Sequence, residues 1–138
     1  MGEKSVGAII FRKENGKIRY LVLLYPAGHW DYVKGHVETG ESSTETLVRE
    51  AEEETRLIDL EIIPGFNERI SYEYTSNGEK IPKEVVFMLA ETKTEEIKLS
   101  FEHKDYKWLE FDKALKQVTF KTAKDVLKKA DKFIKKLS

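Results

Sequence analysis

Two long apolar runs at the start of the chain have the pattern of buried β-strands. Ser5 to Arg12 (SVGAIIFR) and Ile18 to Tyr25 (IRYLVLLY) are nearly continuous hydrophobic segments rich in β-branched residues. Such runs are typical of strands that are covered on both faces. The sequence Glu-Asn-Gly at residues 14–16 lies between them and favours a hairpin turn. The first 25 residues are therefore predicted to form two strands joined by a tight turn.

Shorter segments with strand character follow, separated by glycine and proline. Pro-Ala-Gly at 26–28 ends the second strand, Pro-Gly at 64–65 marks a break or a bulge, and Ser-Asn-Gly at 76–78 is a strong turn signal. Residues 35–40 have glycine at both ends and are expected to form a loop. Residues 29–34 are predicted to be a short strand or an extended run, and the further predicted strands are 57–63, 66–74, 83–92 and 107–111.

Three segments are predicted to be helical. The first follows a cap at Ser43 or Thr44 and ends near residue 55, the second covers residues 112–118, and the third follows a Thr119 cap and ends at Leu137. Apolar residues at helical spacing predict the buried stripe of the third helix, and lysines occupy its other face. The stripe consists of Ala123, Val126, Leu127, Ala130, Phe133, Ile134 and Leu137.

The order of these elements predicts the fold class and the domain organisation. Strands outnumber helices, which favours a mixed β-sheet with helices on its faces, an α/β (α+β) fold of the α/β/α sandwich type. A length of 138 residues with 40% hydrophobic residues is enough for one core. We therefore expect one domain spanning residues 1–138.

Composition and charge exclude several classes of function. The chain has no cysteine, which excludes disulfides and thiol catalysis. Its net charge of −1 gives no global attraction to nucleic acid, so no stable nucleic-acid partner is expected. No long apolar segment or signal peptide is visible, which predicts a cytoplasmic protein without a membrane partner. We expect a monomer that acts on a small molecule.

Three glutamates of the first predicted helix share one face. Because residues three and four apart lie together on a helix, Glu50, Glu53 and Glu54 converge. Carboxylates suit hard divalent cations, and Mg²⁺ often shares its coordination with substrate phosphates. The pattern therefore indicates a Mg²⁺ site (with Mn²⁺ as a second choice) for displacement by water at phosphorus. The alternative is a solvated acidic face, against which Arg49 and the preceding glycine-rich loop both argue.

The segment from residue 35 to residue 57 resembles the Nudix box. That box is Gly, five residues, Glu, seven residues, Arg-Glu, an apolar residue, any residue, Glu-Glu, any residue, Gly and an apolar residue. Arg56 stands where the second glycine is usual, so we expect a strained or reshaped turn there. The residues in register are Gly35, Glu41, Arg49, Glu50, Glu53, Glu54 and Leu57, with Ala51 at the apolar position.

The resemblance implies a role for each matching residue. One of the glutamates of the box, or Glu102 outside it, would act as the base. Arg49 and Glu41 would fix the loop on the helix through an ion pair and hydrogen bonds. The implied metal ligands are Glu50, Glu54, Glu53 and the backbone carbonyl of Gly35. The implied activity is hydrolysis of a nucleoside diphosphate linked to another group, on the α/β/α fold.

The flanking residues resemble those of the diadenosine tetraphosphate hydrolases of the animal and archaeal type. This resemblance implies asymmetrical hydrolysis to ATP and AMP, with His29 and Lys34 near phosphate and Tyr72 and Phe120 enclosing an adenine. The alternatives are a packed histidine, a surface lysine, two core aromatics and, for Glu102, an exposed loop glutamate. The matching stretches are His29-Trp30, Lys34 to Glu38, Gly65-Phe66, Tyr72, Glu102-His103, Tyr106 and Trp108.

Rival functions remain within and outside this class. A hydrolase of the same family acting on capped or triphosphorylated RNA, a nucleotide sugar or a modified nucleoside triphosphate has the same box. A nucleotide-binding module without catalysis is the rival of a different class. It would be expected to have lost carboxylates, whereas Glu50, Glu53 and Glu54 are all present.

Overall fold

Seven strands and three helices make up the chain in a computed structural model that describes residues 3–137. The strands are β1 (Glu3–Glu14), β2 (Lys17–Leu24), β3 (Trp30–Asp31), β4 (Val33–His36), β5 (Glu61–Ser76), β6 (Glu79–Glu91) and β7 (Asp105–Leu109). The helices are α1 (Ser43–Thr55), α2 (Phe111–Gln117) and α3 (Lys121–Leu137).

All seven strands belong to one mixed sheet. Its main path is β3-β2-β1-β6-β5, while β4 also pairs with β1 and β7 with β2. The β1–β6 pair is parallel, with Val6 opposite Val86, and the other pairs are antiparallel. The predicted mixed sheet with helices is therefore confirmed.

Each face of the sheet has its own hydrophobic core because successive side chains of a strand point to opposite faces. On β1, Val6 and Ile10 belong to the cluster that includes Leu47 and Ala51 of α1. Ile9 belongs to the other cluster, which includes Val126, Leu127 and Ala130 of α3. Helix α1 therefore lies on one face and α3 on the other, as the predicted sandwich requires.

The segment 29–34, predicted as a short strand or an extended run, is not one continuous strand. It divides into β3, which pairs with β2, and β4, which pairs with β1. Gly35 lies inside β4 opposite Val6, so the predicted loop starts two residues later than expected. Pairing with two different neighbours depends on long-range register, which a local pattern does not contain.

The predicted strand boundaries after α1 also need correction. Residues 57–60 are outside the sheet, and β5 then continues through residues 64–65. The register against β6 shifts between Ile62 and Asn67, which makes the Pro-Gly pair a bulge, one of the two predicted outcomes. The predicted strand 107–111 is displaced, because β7 ends at Leu109 and Phe111 already begins α2.

Helix α1 begins at a different cap from the predicted one. Ser42, rather than Ser43 or Thr44, forms a capping box: its Oγ accepts from the Glu45 backbone N–H, and Glu45 accepts from the Ser42 backbone N–H. At the other end Arg56 has φ 64° and ψ 18°. The left-handed residue expected where the box usually has glycine is therefore present.

Replacing Arg56 by Gly should stabilise the protein. A left-handed conformation costs a side-chain-bearing residue about 1–2 kcal/mol, part of which is offset by the greater freedom of glycine in the unfolded chain. We expect the free energy of unfolding to rise by about 0.5–1 kcal/mol in urea denaturation. Arg56→Ala is the matched control, because it removes the exposed side chain and keeps the strain. An equal gain in both variants would contradict the backbone explanation.

The carboxyl-terminal helix differs from its prediction at both ends. Its stripe is buried from Ala123 to Ile134, but Leu137 is exposed and Phe133 is only partly buried. Thr119 bonds to the backbone of Trp30, with its Oγ1 accepting from the Trp30 N–H at 2.9 Å. This contact fixes the start of α3 beside β3. Within residues 3–137 no helix has the length and apolar character needed to cross a membrane.

Candidate active site

The acidic face of α1 forms one wall of an open cavity of about 510 Å³. Strand β4 and the loop at residues 100–102 form the other walls. The cavity therefore brings together residues that are far apart in the sequence. Its lining residues are Lys34, Gly35, His36, Glu38, Arg49, Glu50, Glu53, Glu54, Ser100, Phe101 and Glu102.

Gly35 allows β4 to approach α1 closely. A Cβ atom built on Gly35 would lie 2.0 Å from Cδ and 2.4 Å from Cγ of Glu50. The Glu50 side chain therefore occupies the space in which any other residue at 35 would place its own side chain. The glycine at the start of the box is required by this contact, and it places the Glu50 carboxylate against the β4 backbone.

Arg49 connects the loop to the helix. Its Nε donates to Glu41 at 2.6 Å, its Nη1 donates to Glu50 at 2.7 Å, and its Nη2 donates to the His36 carbonyl at 3.0 Å. Hydrogen bonds from Arg49 hold the pKa of Glu41 at about 2, and the same bonds raise the pKa of Arg49. Glu41 lies outside the lining of the cavity and acts on it through Arg49.

Glu54 is the most deeply buried carboxyl group of the cavity, at 3% exposure. Burial raises its pKa to about 9, and the adjacent Glu50 carboxylate acts in the same direction. The Nε2 atom of His103 lies 2.7 Å from Oε1 of Glu54, and burial lowers the pKa of that imidazole. Neutral His103 and the Glu54 carboxyl group therefore share one hydrogen bond, which fixes the orientation of Glu54.

The loop that contains Glu102 is attached to the end of α1. The Ser100 N–H donates to the Glu54 carbonyl at 3.1 Å, and the His103 N–H donates to the Ser100 carbonyl at 3.2 Å. Ser100 Oγ also accepts from the Glu102 N–H at 3.3 Å. These bonds, together with the His103 side chain, bring Glu102 to the same cavity as the glutamates of α1.

The donor set suits a hard divalent cation. Its side-chain donors include the carboxyl groups of Glu50, Glu53, Glu54 and Glu102, and a bound cation would favour the ionised form of Glu54 that burial and Glu50 disfavour. Between residues 3 and 137 no three acidic or histidine side chains already have an arrangement that could hold an ion. In this arrangement Glu50 and Glu53 pair with Arg49 instead, at 2.7 and 3.4 Å.

A second cavity, of about 540 Å³, adjoins the first through Lys34, which lines both. Tyr72 from β5 and Phe120 from the start of α3 line it, and each is 46% exposed. The alternative that these two aromatics are core residues is therefore wrong. Val85 and Phe87 of β6 provide apolar surface in the same cavity. The cavity has the aromatic, half-open character that a flat heterocycle requires.

Lys34 is held in place at the junction of the two cavities. Its Nζ lies 3.0 Å from Oδ2 of Asp31, whose side chain is buried, and 5.9 Å from the centre of the Phe87 ring. The ion pair fixes the ammonium group without covering it completely. The sequence does not indicate this role for Asp31, because nothing in the local pattern distinguishes it from a surface aspartate.

A row of aromatic rings runs from His103, the partner of Glu54, to Phe120 of the second cavity. His103 meets Tyr25 edge to face at 4.5 Å, Tyr25 stacks on His29 at 4.8 Å, and His29 lies 5.1 Å from Phe120. His29 itself is not among the lining residues of either cavity. The row links the partner of Glu54 to one wall of the aromatic cavity, and the sequence pattern did not predict it.

The chain is similar to asymmetrical bis(5′-nucleosyl)-tetraphosphatases over nearly its whole length. It is 39% identical to the bis(5′-nucleosyl)-tetraphosphatase of Sus scrofa, with 97% of each chain covered. It is 35% identical to that of Caenorhabditis elegans, with 95% of this chain and 96% of the relative covered.

A solved structure and a family match agree with these relatives. The structure of a C. elegans Ap4A hydrolase binary complex superposes with a TM-score of 0.83 at 33% identity, covering 96% of this chain and 97% of that one. The NUDIX domain family matches residues 1–132. The resemblance seen in the sequence is thereby confirmed, and the chain belongs to the NUDIX domain family.

Proposed function

We propose that this protein is a Mg²⁺-dependent hydrolase of dinucleoside polyphosphates, with diadenosine tetraphosphate as substrate and ATP and AMP as products. The observation that carries the proposal is the pair of adjoining cavities, one lined by carboxylates and the other by aromatic rings, with Lys34 between them. The names of the relatives in pig and nematode support the same substrate.

The carboxylate cavity is the proposed metal and reaction centre. Hydrolases of this family generally use divalent metal ions. Bound there, Mg²⁺ would neutralise phosphate charge and lower the pKa of a bound water. Mn²⁺ is the second choice because it has the same preference for oxygen ligands. The proposed ligands are Glu50, Glu53, Glu54 and the Gly35 carbonyl.

The reaction is an in-line displacement at phosphorus. The oxygen of a water forms a new bond to one phosphorus of the chain, the bridging P–O bond on the opposite side breaks, and the bridging oxygen leaves with the other product. A carboxylate within hydrogen-bond reach of the water takes its proton. Glu102 and Glu53 are the proposed candidates for this base, because both line the cavity and neither is buried.

The aromatic cavity is the proposed site for one nucleoside. Tyr72 and Phe120 would stack on the two faces of an adenine, and Lys34 would pair with the adjoining phosphates. His29 would act at the phosphate chain or by supporting Phe120, which it approaches to 5.1 Å. We further propose that the enzyme is a monomer and that it works in the cytoplasm.

Hydrolysis in heavy-oxygen water tests the proposed reaction. With diadenosine tetraphosphate, Mg²⁺ and H₂¹⁸O, we expect equal amounts of ATP and AMP, with the label in only one of them when the products are analysed by mass spectrometry. Attack at a single phosphorus gives this result, because water contributes its oxygen to one product alone. Label divided between ATP and AMP would contradict a single attack site.

A substrate panel is the control for specificity. It contains diadenosine tetraphosphate, ADP-ribose, a modified nucleoside triphosphate and a capped RNA, compared by kcat/KM under the same conditions. We expect the dinucleotide to have the largest value. A larger value for another substrate would assign the site to a different branch of the family.

A further inference from the structure

The proposed function leaves one half of the substrate without a binding surface. A dinucleoside polyphosphate has a nucleoside at each end, and the Tyr72–Phe120 cavity accommodates one of them. Lys34, which lines both cavities, directs the phosphate chain from that nucleoside toward the carboxylates. The second nucleoside must therefore lie at or beyond the far side of the carboxylate cavity.

Phe101 lines the carboxylate cavity but not the Tyr72–Phe120 cavity, and it is almost completely uncovered. Its side chain is 96% exposed, the highest value among the large hydrophobic residues of the described chain that face solvent. It nevertheless contributes to the lining of the carboxylate cavity, next to Glu102. An exposed phenylalanine offers a flat apolar surface that gains free energy when another flat group covers it.

The backbone that carries Phe101 is held close to the carboxylates. The residues on both sides of the Phe101-Glu102 pair are fixed: Ser100 bonds to the Glu54 carbonyl, and His103 bonds to both Ser100 and the Glu54 side chain. Because this backbone is already in place, a ligand that stacks on Phe101 has to order only the side chain and not the loop.

Charge selects the part of the substrate that can cover Phe101. The neighbouring Glu102 and Glu53 carboxylates repel phosphate groups that no cation screens, whereas a nucleobase is uncharged and has an aromatic face. A base at this position would leave the phosphates in the cavity, where Lys34 and the metal ligands lie.

We propose that Phe101 is the stacking surface for the second nucleobase of the dinucleoside polyphosphate. This inference rests on the proposed function. It makes Phe101 a specificity residue that favours substrates with a base at both ends over mononucleoside polyphosphates. Since stacking depends on the aromatic face and not on hydrogen bonds, the site tolerates different bases at that end.

Two ligands of equal phosphate number test the proposal. Phe101→Ala should raise KM for diadenosine tetraphosphate about fivefold or more with little change in kcat, as removal of a stacking aromatic does. It should leave unchanged the inhibition constant of adenosine 5′-tetraphosphate, which has the same four phosphates and only one nucleoside. Phe101→Trp should restore a low KM. Tyr72→Ala should weaken both ligands, because each of them places a base in the Tyr72–Phe120 cavity.

Ile58→Ala is the matched control, since Ile58 is also exposed (81%) and lies outside the lining of both cavities. Its constants should equal those of the wild type. An unchanged KM in Phe101→Ala, or equal weakening of both ligands, would overturn the proposal while the proposed function stands. Failure of the wild type to hydrolyse diadenosine tetraphosphate would remove the function and this inference together.

Discussion

Glu54→Gln should lower kcat for diadenosine tetraphosphate by about 10²- to 10⁴-fold, the range typical of losing a group that acts directly on the reaction. Glu54 is the buried carboxyl group of the cavity, and its neighbours Glu50 and His103 fix it from two sides. A neutral amide cannot supply the charge that a divalent cation requires of its ligand. Initial rates over a range of Mg²⁺ concentrations measure the effect.

The same substitution should leave the fold intact. Glutamine keeps the shape of the side chain and an oxygen that accepts from His103 Nε2. It also removes a carboxyl group whose ionisation burial opposes, so the free energy of unfolding should not fall. Glu52→Gln is the matched control, because Glu52 lies on the same helix with an exposed side chain and outside the cavity. Near-normal kcat in a folded Glu54→Gln protein would exclude Glu54 from the metal site.

The parts of the site that the sequence predicts are those set by local geometry. The spacing of Glu50, Glu53 and Glu54 places them on one side of any helix, and α1 is long enough to form with its own capping box. The left-handed backbone at Arg56 also follows from local rules, because a helix end needs that conformation whether or not the residue is glycine.

The parts that the sequence does not predict depend on contacts between distant segments. His103 is 49 residues from Glu54, and their bond exists because β7 pairs with β2 and brings the preceding loop beside α1. Nothing in the sequence around His103 indicates burial. The division of 29–34 into two strands has the same origin, since β3 and β4 are defined by different partners.

For the aromatic residues, the sequence pattern does not predict which ones are exposed in a cavity and which are buried in the core. Tyr72 and Phe120 occupy positions that a pattern assigns equally well to core or to ligand, and only their half-exposed position in one cavity distinguishes the two cases. Tyr25 stacks on His29 because the turn after β2 returns the chain alongside it, and it meets His103 edge to face. Whether an aromatic residue can bind a ligand therefore depends on its exposure and its position in a cavity, which the sequence alone does not give.

Gly35→Ala should lower kcat/KM about 10- to 100-fold, the scale seen when the support of a metal ligand is removed, and change stability little. The added methyl group would meet the carboxyl end of Glu50 at 2.0–2.4 Å, and that flexible side chain can move aside. The β4 backbone can remain as it is, because Gly35 does not have a positive φ. The predicted loss is therefore of carboxylate position and not of fold.

A double-mutant cycle distinguishes this explanation from a general disturbance of β4. If Gly35 acts by positioning Glu50, then Gly35→Ala should cost much less in a Glu50→Gln background than in the wild type, because the carboxylate it displaces is already neutral. Steady-state kinetics of the four proteins, with thermal unfolding of each, measure the coupling. Full additivity would mean that the methyl group acts on the Gly35 carbonyl or on the strand, and not through Glu50. Coupling would show that the first glycine of the box is retained because a carboxylate occupies the space of its missing side chain.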